Sequence, residues 1–346
     1  MNAFRTTFII GLFSPVVFAQ PQSIQFQTQE QAAPHSEAGP ERALMRFAQW
    51  GRNEIFAEYG SSVTSENHFD AALGFRYLLT STTLKSDGKW DWTVALSYQG
   101  DFDFFASSRE SGPVVTTRHN PALTYIRVRD PKQHSWSSWY FSVEHESNGQ
   151  TSNDPQDLAE QVEILTPDEG SLPQSEIFEM AQQTISRANN FIGLGGYFQS
   201  VTTDEEGCRN DLRCFSIQTK LRFQLGIGRE DGIPYRNDFT DPMPQPIPQL
   251  KHYQGTQVII AKPFDLGGIR QSLELDYQTG QLADKPFSSH TFDFRYFIDV
   301  PVGHLFNKGK DFAIPIVVRY HHGYLEELYM FSKRTSFFAV GFHARY

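Results

Sequence analysis

The chain has 346 residues, of which 40 are acidic and 30 basic, for a formal net charge of −10. That balance argues against a nucleic-acid partner, because no basic stripe is available to neutralise phosphates, whereas acidic loops beside anionic lipid favour bound divalent cations. Aromatic residues make up 14% of the chain, including 30 Phe, yet the mean hydropathy is −0.45.

In chain order, Met1–Arg5 is followed by an uncharged stretch from Thr6 to Phe18, with the small residues Val17 and Ala19 at the −3 and −1 positions of a cleavage site. This reads as a secretory signal peptide over residues 1–19, with a mature chain from Gln20. Its apolar run is too short to span a bilayer. Residues 20–50 are rich in Gln, Ala, Pro and Glu, which predicts a mobile periplasmic segment with a short helix near Arg42–Trp50.

Residues 51–346, ordered from near Asn53, read as about 12 segments of alternating hydrophobicity separated by turn-forming residues. Trp90, Trp92, Val94, Leu96 and Tyr98 alternate with Asp91, Thr93, Ala95, Ser97 and Gln99. Farther on, Phe215, Ile217, Leu221, Phe223, Leu225 and Ile227 alternate with Ser216, Gln218, Lys220, Arg222 and Gln224. The pattern returns in Leu273–Gln278 and in Phe292–Asp299. One face is oily and the other charged. A membrane barrel accounts for aromatic content without high hydropathy, because each strand shows lipid only its alternate residues. Phe338, Val340, Phe342, Ala344 and Tyr346 alternate up to a terminal aromatic residue, and this resembles the assembly signal of bacterial outer-membrane proteins. The expected fold is all-β: a transmembrane antiparallel up-and-down β-barrel of about 12 strands.

Loop lengths obey the parity of such a barrel. The expected outer connections, Phe105–Asn120, Asn148–Ile185 and Arg229–Tyr253, are long, and the inner ones, such as Asp130–Ser135 and Asp265–Ile269, are short. Cys208 and Cys214 then fall in a periplasmic turn of an exported chain, where a disulfide is expected and two free thiols are the alternative.

The run from Trp139 to Gln150 carries the chemistry. Trp139, Phe141, Val143, His145 and Ser147 share one parity, and Tyr140, Ser142, Glu144 and Glu146 share the other. His145 and Ser147 therefore belong to the apolar, lipid-facing side. Residues i and i+2 on a strand have Cα atoms about 6.5–7 Å apart, so an imidazole nitrogen can reach the serine hydroxyl and take its proton during attack on a carbonyl. A histidine and a serine so spaced also suit an interfacial residue followed by the start of a loop. A catalytic histidine needs a third group to fix its tautomer. The next strand supplies one: Asn190, opening Ser186-Arg187-Ala188-Asn189-Asn190, shares parity with Ile192, Leu194 and Phe198.

His145-Glu-Ser147-Asn148-Gly149, followed one strand later by Ser186-Arg-Ala-Asn-Asn190, resembles the paired motif of the outer-membrane phospholipase A family. The likeness extends over roughly residues 50–346, with Tyr253-Gln-Gly255 and His322-Gly323-Tyr324-Leu-Glu326-Glu-Leu328-Tyr329 as further landmarks. The resemblance implies Ser147 as nucleophile, His145 as general base and acid, Asn190 as the orienting group, and the Gly149 N–H in the oxyanion hole. It also implies membrane phospholipid as substrate and an active homodimer with calcium at the interface. The calcium ligands would be the Ser186 hydroxyl, the Gln150 carbonyl and the carbonyl of Gly112 from the second subunit; a loop glycine is the alternative for Gly112.

The chain departs from the family in its long insertion between the two motifs. From Asp154 to Glu179 this carries eight acidic residues and no Lys or Arg. It reads either as a solvated mobile loop or as a segment that covers the site, binds calcium or obstructs pairing of subunits. The rival functions are a lipid A deacylase, against which the strand count argues, and a small porin or transporter. A transporter needs an open lumen, whereas Lys220, Arg222, Glu274, Asp276 and Arg295 point inward on the charged parity.

Overall fold

The computed structural model of the chain describes residues 28–30, 42–44, 47–49, 54–59, 69–80, 83–84, 89–104, 114–129, 136–150, 155–166, 177, 181, 184, 186, 188–200, 215–225, 253–280, 289–302, 313–324 and 334–343. The barrel strands among them are β1 (Glu54–Tyr59), β2 (Phe69–Leu78), β3 (Asp91–Phe104), β4 (Val114–Val128), β5 (Trp136–Ser147) and β6 (Ala188–Gln199), followed by β7 (Ser216–Gln224), β8 (Thr256–Leu266), β9 (Ile269–Thr279), β10 (His290–Pro301), β11 (Ala313–Gly323) and β12 (Thr335–His343). Each pairs antiparallel with the next. β12 then returns to β1, with Phe338 opposite Tyr59 and Phe342 opposite Ile55. The ladder closes on itself, so the fold is a twelve-stranded up-and-down barrel. No described helix is long and apolar enough to cross a membrane.

Side chains alternate as the pleat requires. β12 shows the pattern along its whole length: Ser336, Phe338, Val340 and Phe342 are exposed, and Thr335, Phe337, Ala339, Gly341 and His343 are buried. Trp92, Leu96, Leu123, Leu194, Phe223, Leu275, Phe292 and Phe294 are likewise exposed, although all are large and apolar. A soluble protein rarely leaves so continuous an apolar surface open; a barrel in lipid has to.

The inner face is polar and paired. Arg319 bonds Asp293 on the neighbouring strand at 2.7 Å and reaches Asp70 on β2 at 3.3 Å, while Arg295 lies between Glu274 and Asp293. The bond to Asp70 links strands that are not neighbours in the ladder, and those from Arg319 to Asp293 and from Arg295 to Glu274 tie adjacent strands together on the inner face. Toward the short-turn end, Leu78, Ala95, Ile126, Val128, Tyr140 and Tyr197 form an apolar cluster inside the barrel.

At the β8–β9 turn, Gly267 and Gly268 have φ of 64° and 81°. Positive φ at both central residues matches the turn twist that a two-residue hairpin needs, and glycine adopts it without cost. The Gly268 N–H donates to Asp265 Oδ1 at 2.8 Å.

Three local expectations change. The helix expected near Arg42–Trp50 is absent: Arg42–Leu44 and Phe47–Gln49 are strands, the latter paired with β2 through Phe47 and Tyr77. Ladder bonds to a neighbour outweigh weak helical patterning here. The outer connection expected over Phe105–Asn120 is shorter, because β4 begins at Val114 and pairs with β3 across a bulge between Asp101 and Phe102. The extra residue of that bulge hides the alternation in sequence. Within the acidic insertion, Pro155–Leu165 forms helix α1 with Asp157 in its first turn, which suits the positive end of the helix dipole. Gly112, Cys208, Cys214, Ala344 and Tyr346 lie outside the described residues.

Candidate active site

The expected face of β5 is the face observed. Phe141 and Val143 are 39% and 48% exposed, whereas Ser142 and Glu144 are 1% and 3% exposed. His145 continues the outer parity and is exposed; Ser147 follows it at the strand end, half-buried.

β6 brings the third group into place. Asn190 is the direct cross-strand partner of His145, which puts their Cβ atoms about 4.5–5.5 Å apart on the same face. His145 Nδ1 lies 3.0 Å from Asn190 Oδ1. An amide oxygen only accepts, so Nδ1 carries the proton and Nε2 keeps a bare lone pair. That is the tautomer a general base requires. Ser147, one pleat along β5, is the group that Nε2 can serve.

Gly149 sits just past the strand with φ +66°, a left-handed conformation that favours glycine. A Cβ there would lie 3.4 Å from His119 Cδ2 and 3.5 Å from His119 Nε2. Ser147 pairs with Ala188 at the end of the ladder, and Gln150 and Ser186 lie just beyond that end on their two chains. The Gln150 amide donates to the Asn148 carbonyl at 3.3 Å, and the Ser186 side chain is half-buried. A hydroxyl and a backbone carbonyl are hard oxygen donors, the kind a calcium ion takes, so these two positions fit one side of such a site.

The lumen behind the site is densely bonded. Glu144 accepts from Lys220 at 2.8 Å, from Arg222 at 3.1 Å and from Ser142 at 2.7 Å. Glu146 is held by Arg118 at 3.2 Å, Arg222 at 3.4 Å and the Gln254 amide at 3.0 Å. Gln254 belongs to the Tyr253-Gln-Gly255 landmark, and the neighbouring Tyr253 ring meets Tyr324 of the other landmark at 5.0 Å. The inner parity of β5 is thus tied to β4, β7 and the residues before β8, which fixes where the outer parity points.

A second outward His–Ser pair tests how selective this reasoning is. His322 Nδ1 lies 2.7 Å from Ser336 Oγ on the adjacent strand. Arg334, however, donates to His322 Nε2. Nε2 must therefore be the acceptor and Nδ1–H the donor to serine, which is the wrong tautomer for activating a hydroxyl. Of these two pairs, the His145 arrangement is the one whose base nitrogen is uncommitted among the described residues.

A residue that sequence reasoning did not single out belongs to the same patch. His119 on β4 is the direct cross-strand partner of Ser147, and it shares outward parity with Pro121 and Leu123. Its Nδ1 is hydrogen-bonded to the Tyr98 hydroxyl, and Phe102 meets its ring edge-on with centroids 5.9 Å apart. The sequence pattern places His119 in the expected outer connection; the irregularity that hides it is the extra residue on β4, Thr117, which the register skips between Arg118 and Thr116.

No family model matches the chain, and no curated protein matches it in sequence. Among solved structures it is similar to an active-site mutant of outer membrane phospholipase A from Escherichia coli, at 14% identity and a TM-score of 0.49 over 91% of this chain and 94% of that one. A second structure of outer membrane phospholipase A from Escherichia coli gives 12% identity and a TM-score of 0.49 over the same shares. An outer membrane phospholipase dimer from Salmonella typhi with bound calcium gives 13% identity and a TM-score of 0.48, over 86% of this chain and 92% of that one. Closed strand pairing, an apolar outer band and a charged lumen make this chain a β-barrel of the outer-membrane type.

Proposed function

We propose that the protein is a calcium-dependent phospholipase of the bacterial outer membrane, which hydrolyses acyl esters of membrane phospholipids on the outside of its barrel and works as a homodimer. The observation that carries this reading is the 3.0 Å bond from His145 Nδ1 to Asn190 Oδ1 on the lipid-facing side, with Ser147 one pleat away. A transporter or a purely structural barrel has no use for an oriented base beside a hydroxyl in its lipid band.

In this mechanism Ser147 Oγ attacks the ester carbonyl as His145 Nε2 takes its proton. His145 then returns the proton to the leaving lysophospholipid alcohol, and water, activated by the same nitrogen, releases the fatty acid. Asn190 keeps the imidazole in its working tautomer throughout. The Gly149 N–H faces the charge that develops on the carbonyl oxygen. Ser186, Gln150 and Gly112 of the partner subunit would hold the calcium, which when bound supplies positive charge beside that oxygen.

The test is fatty-acid release from phospholipid by the full chain refolded in detergent. Ser147→Ala removes the nucleophile and no packing group, so it should abolish hydrolysis while the barrel stays folded and heat-modifiable on a gel. Retained hydrolysis in that variant would sink the serine reading, and activity indifferent to excess chelator would remove the metal from it.

A further inference from the structure

His119 has an unusual placement for a histidine. It faces lipid, directly opposite Ser147, and its ring edge carrying Cδ2 and Nε2 abuts Gly149. Cross-strand partners have Cβ atoms about 4.5–5.5 Å apart, so His119 starts closer to Ser147 than does His145, which must reach along its own strand. Two histidines therefore flank one serine, His119 across the ladder and His145 along the strand. Chemistry separates their roles.

His145 donates from Nδ1 to an amide oxygen and so has a bare Nε2. His119 has a phenol on Nδ1 instead: the Tyr98 hydroxyl. A phenolic O–H is the stronger donor of such a pair and an imidazole nitrogen the stronger acceptor, so the proton of the bond comes from Tyr98 and His119 holds its own proton on Nε2. The Phe102 edge and the Tyr98 ring, whose centroid is 5.8 Å from that of the imidazole, fix the orientation. What results is a neutral N–H donor beside Gly149, on the opposite strand from the nucleophile.

We propose that His119, oriented by Tyr98, is a second oxyanion donor: its Nε2–H and the Gly149 N–H together bind the oxygen of the tetrahedral intermediate. This rests on the serine-hydrolase reading above and adds a catalytic residue to it. As the bond from Ser147 Oγ to the carbonyl carbon forms, the C=O π pair moves onto oxygen and the serine proton moves to His145 Nε2. His119 keeps its proton and gives only a hydrogen bond. Tyr98 acts through His119 and is a positioning residue.

The experiment compares His119→Leu, His119→Gln and Tyr98→Phe in the refolded full chain, with heat-modifiability to establish folding. Leucine removes the N–H, and kcat should fall about 10²-fold or more while KM and the calcium concentration for half-activity stay put, because the lost bond exists only in the transition state. Glutamine carries an amide N–H near the position of Nε2 and should recover most of that loss. Reaction with a long-chain phosphonate ester, which captures Ser147 in a tetrahedral adduct, should slow in His119→Leu and recover in His119→Gln in the same order. Wild-type kcat in His119→Leu, or a folded His119→Gln as inactive as the leucine variant, would overturn the proposal. If His119→Leu fails to fold, Tyr98→Phe decides, since it removes only the hydroxyl that holds the imidazole; an unchanged kcat there also overturns it. Ser147→Ala separates the two levels. Activity surviving in that variant defeats the serine reading and His119 with it, whereas an inactive Ser147→Ala beside a fully active His119→Leu defeats His119 alone.

Discussion

Replacing Asn190 by alanine isolates the one bond on which the catalytic reading turns. Asn190 lies on the outer face at the start of β6, and its Oδ1 accepts from His145 Nδ1 at 3.0 Å. In the resting state both partners are neutral and partly exposed, so the bond contributes about 0.5–1.5 kcal/mol and its loss leaves the barrel folded. In the transition state the imidazole carries the serine proton and the bond becomes charge-assisted, about 1.5–3 kcal/mol. Only the difference between the two, about 1–1.5 kcal/mol, falls on turnover, so at about 1.4 kcal/mol per factor of ten Asn190→Ala should lower kcat about 5- to 13-fold, with KM little changed. Asn190→Asp keeps an acceptor at the same reach and should recover most of the rate. The assay is fatty-acid release in detergent, normalised to the heat-modifiable fraction. An unchanged rate in Asn190→Ala, or no recovery with aspartate in a folded barrel, would refute the role given to this side chain.

Further outcomes follow from the same geometry. An environment-sensitive dye at Val143 should report lipid and one at Glu144 a polar lumen; the reverse pattern would turn His145 and Ser147 inward and end the case for attack on membrane lipid. Glu144→Ala leaves Lys220 and Arg222 without the carboxylate they share. It should cost about 3–5 kcal/mol, seen as a lower temperature for the heat-modifiable shift, and a shift no larger than that of an exposed loop substitution would contradict it. Ser186→Ala should raise the calcium needed for half-maximal activity without abolishing turnover in excess calcium; an unchanged calcium titration would remove the hydroxyl from the metal site.

The barrel was legible in the sequence because its signal is local. Trp139, Phe141 and Val143 against Tyr140, Ser142 and Glu144 specify a face within six residues, and the His145–Asn190 pairing followed from the same parity carried to the next strand. What escaped was either irregular or long-range. An extra residue on β4, Thr117, which the register skips opposite Asp101 and Phe102, breaks the alternation, so the sequence pattern does not carry that strand back to Val114 or place His119 on it. The bond from Lys220 to Glu144 joins residues 76 apart. Sequence showed that both point inward but not that they meet.

The two faces of β5 divide the labour, and neither works without the other. A strand whose outer side meets only fluid lipid gains little register specificity from that side, since lipid tails accept any apolar side chain equally. The inner side does discriminate. Glu144 and Glu146 together are engaged from β4, β7 and the segment before β8, with bonds between 2.8 and 3.4 Å. A one-residue slip would send both carboxylates into hydrocarbon and strand their cations in the lumen. His145 and Ser147 are thus held outward by charges they never touch. On the proposed reading the substrate is the surrounding lipid, which offers no rigid cleft to place a base and a nucleophile; the bonded lumen supplies that rigidity from behind.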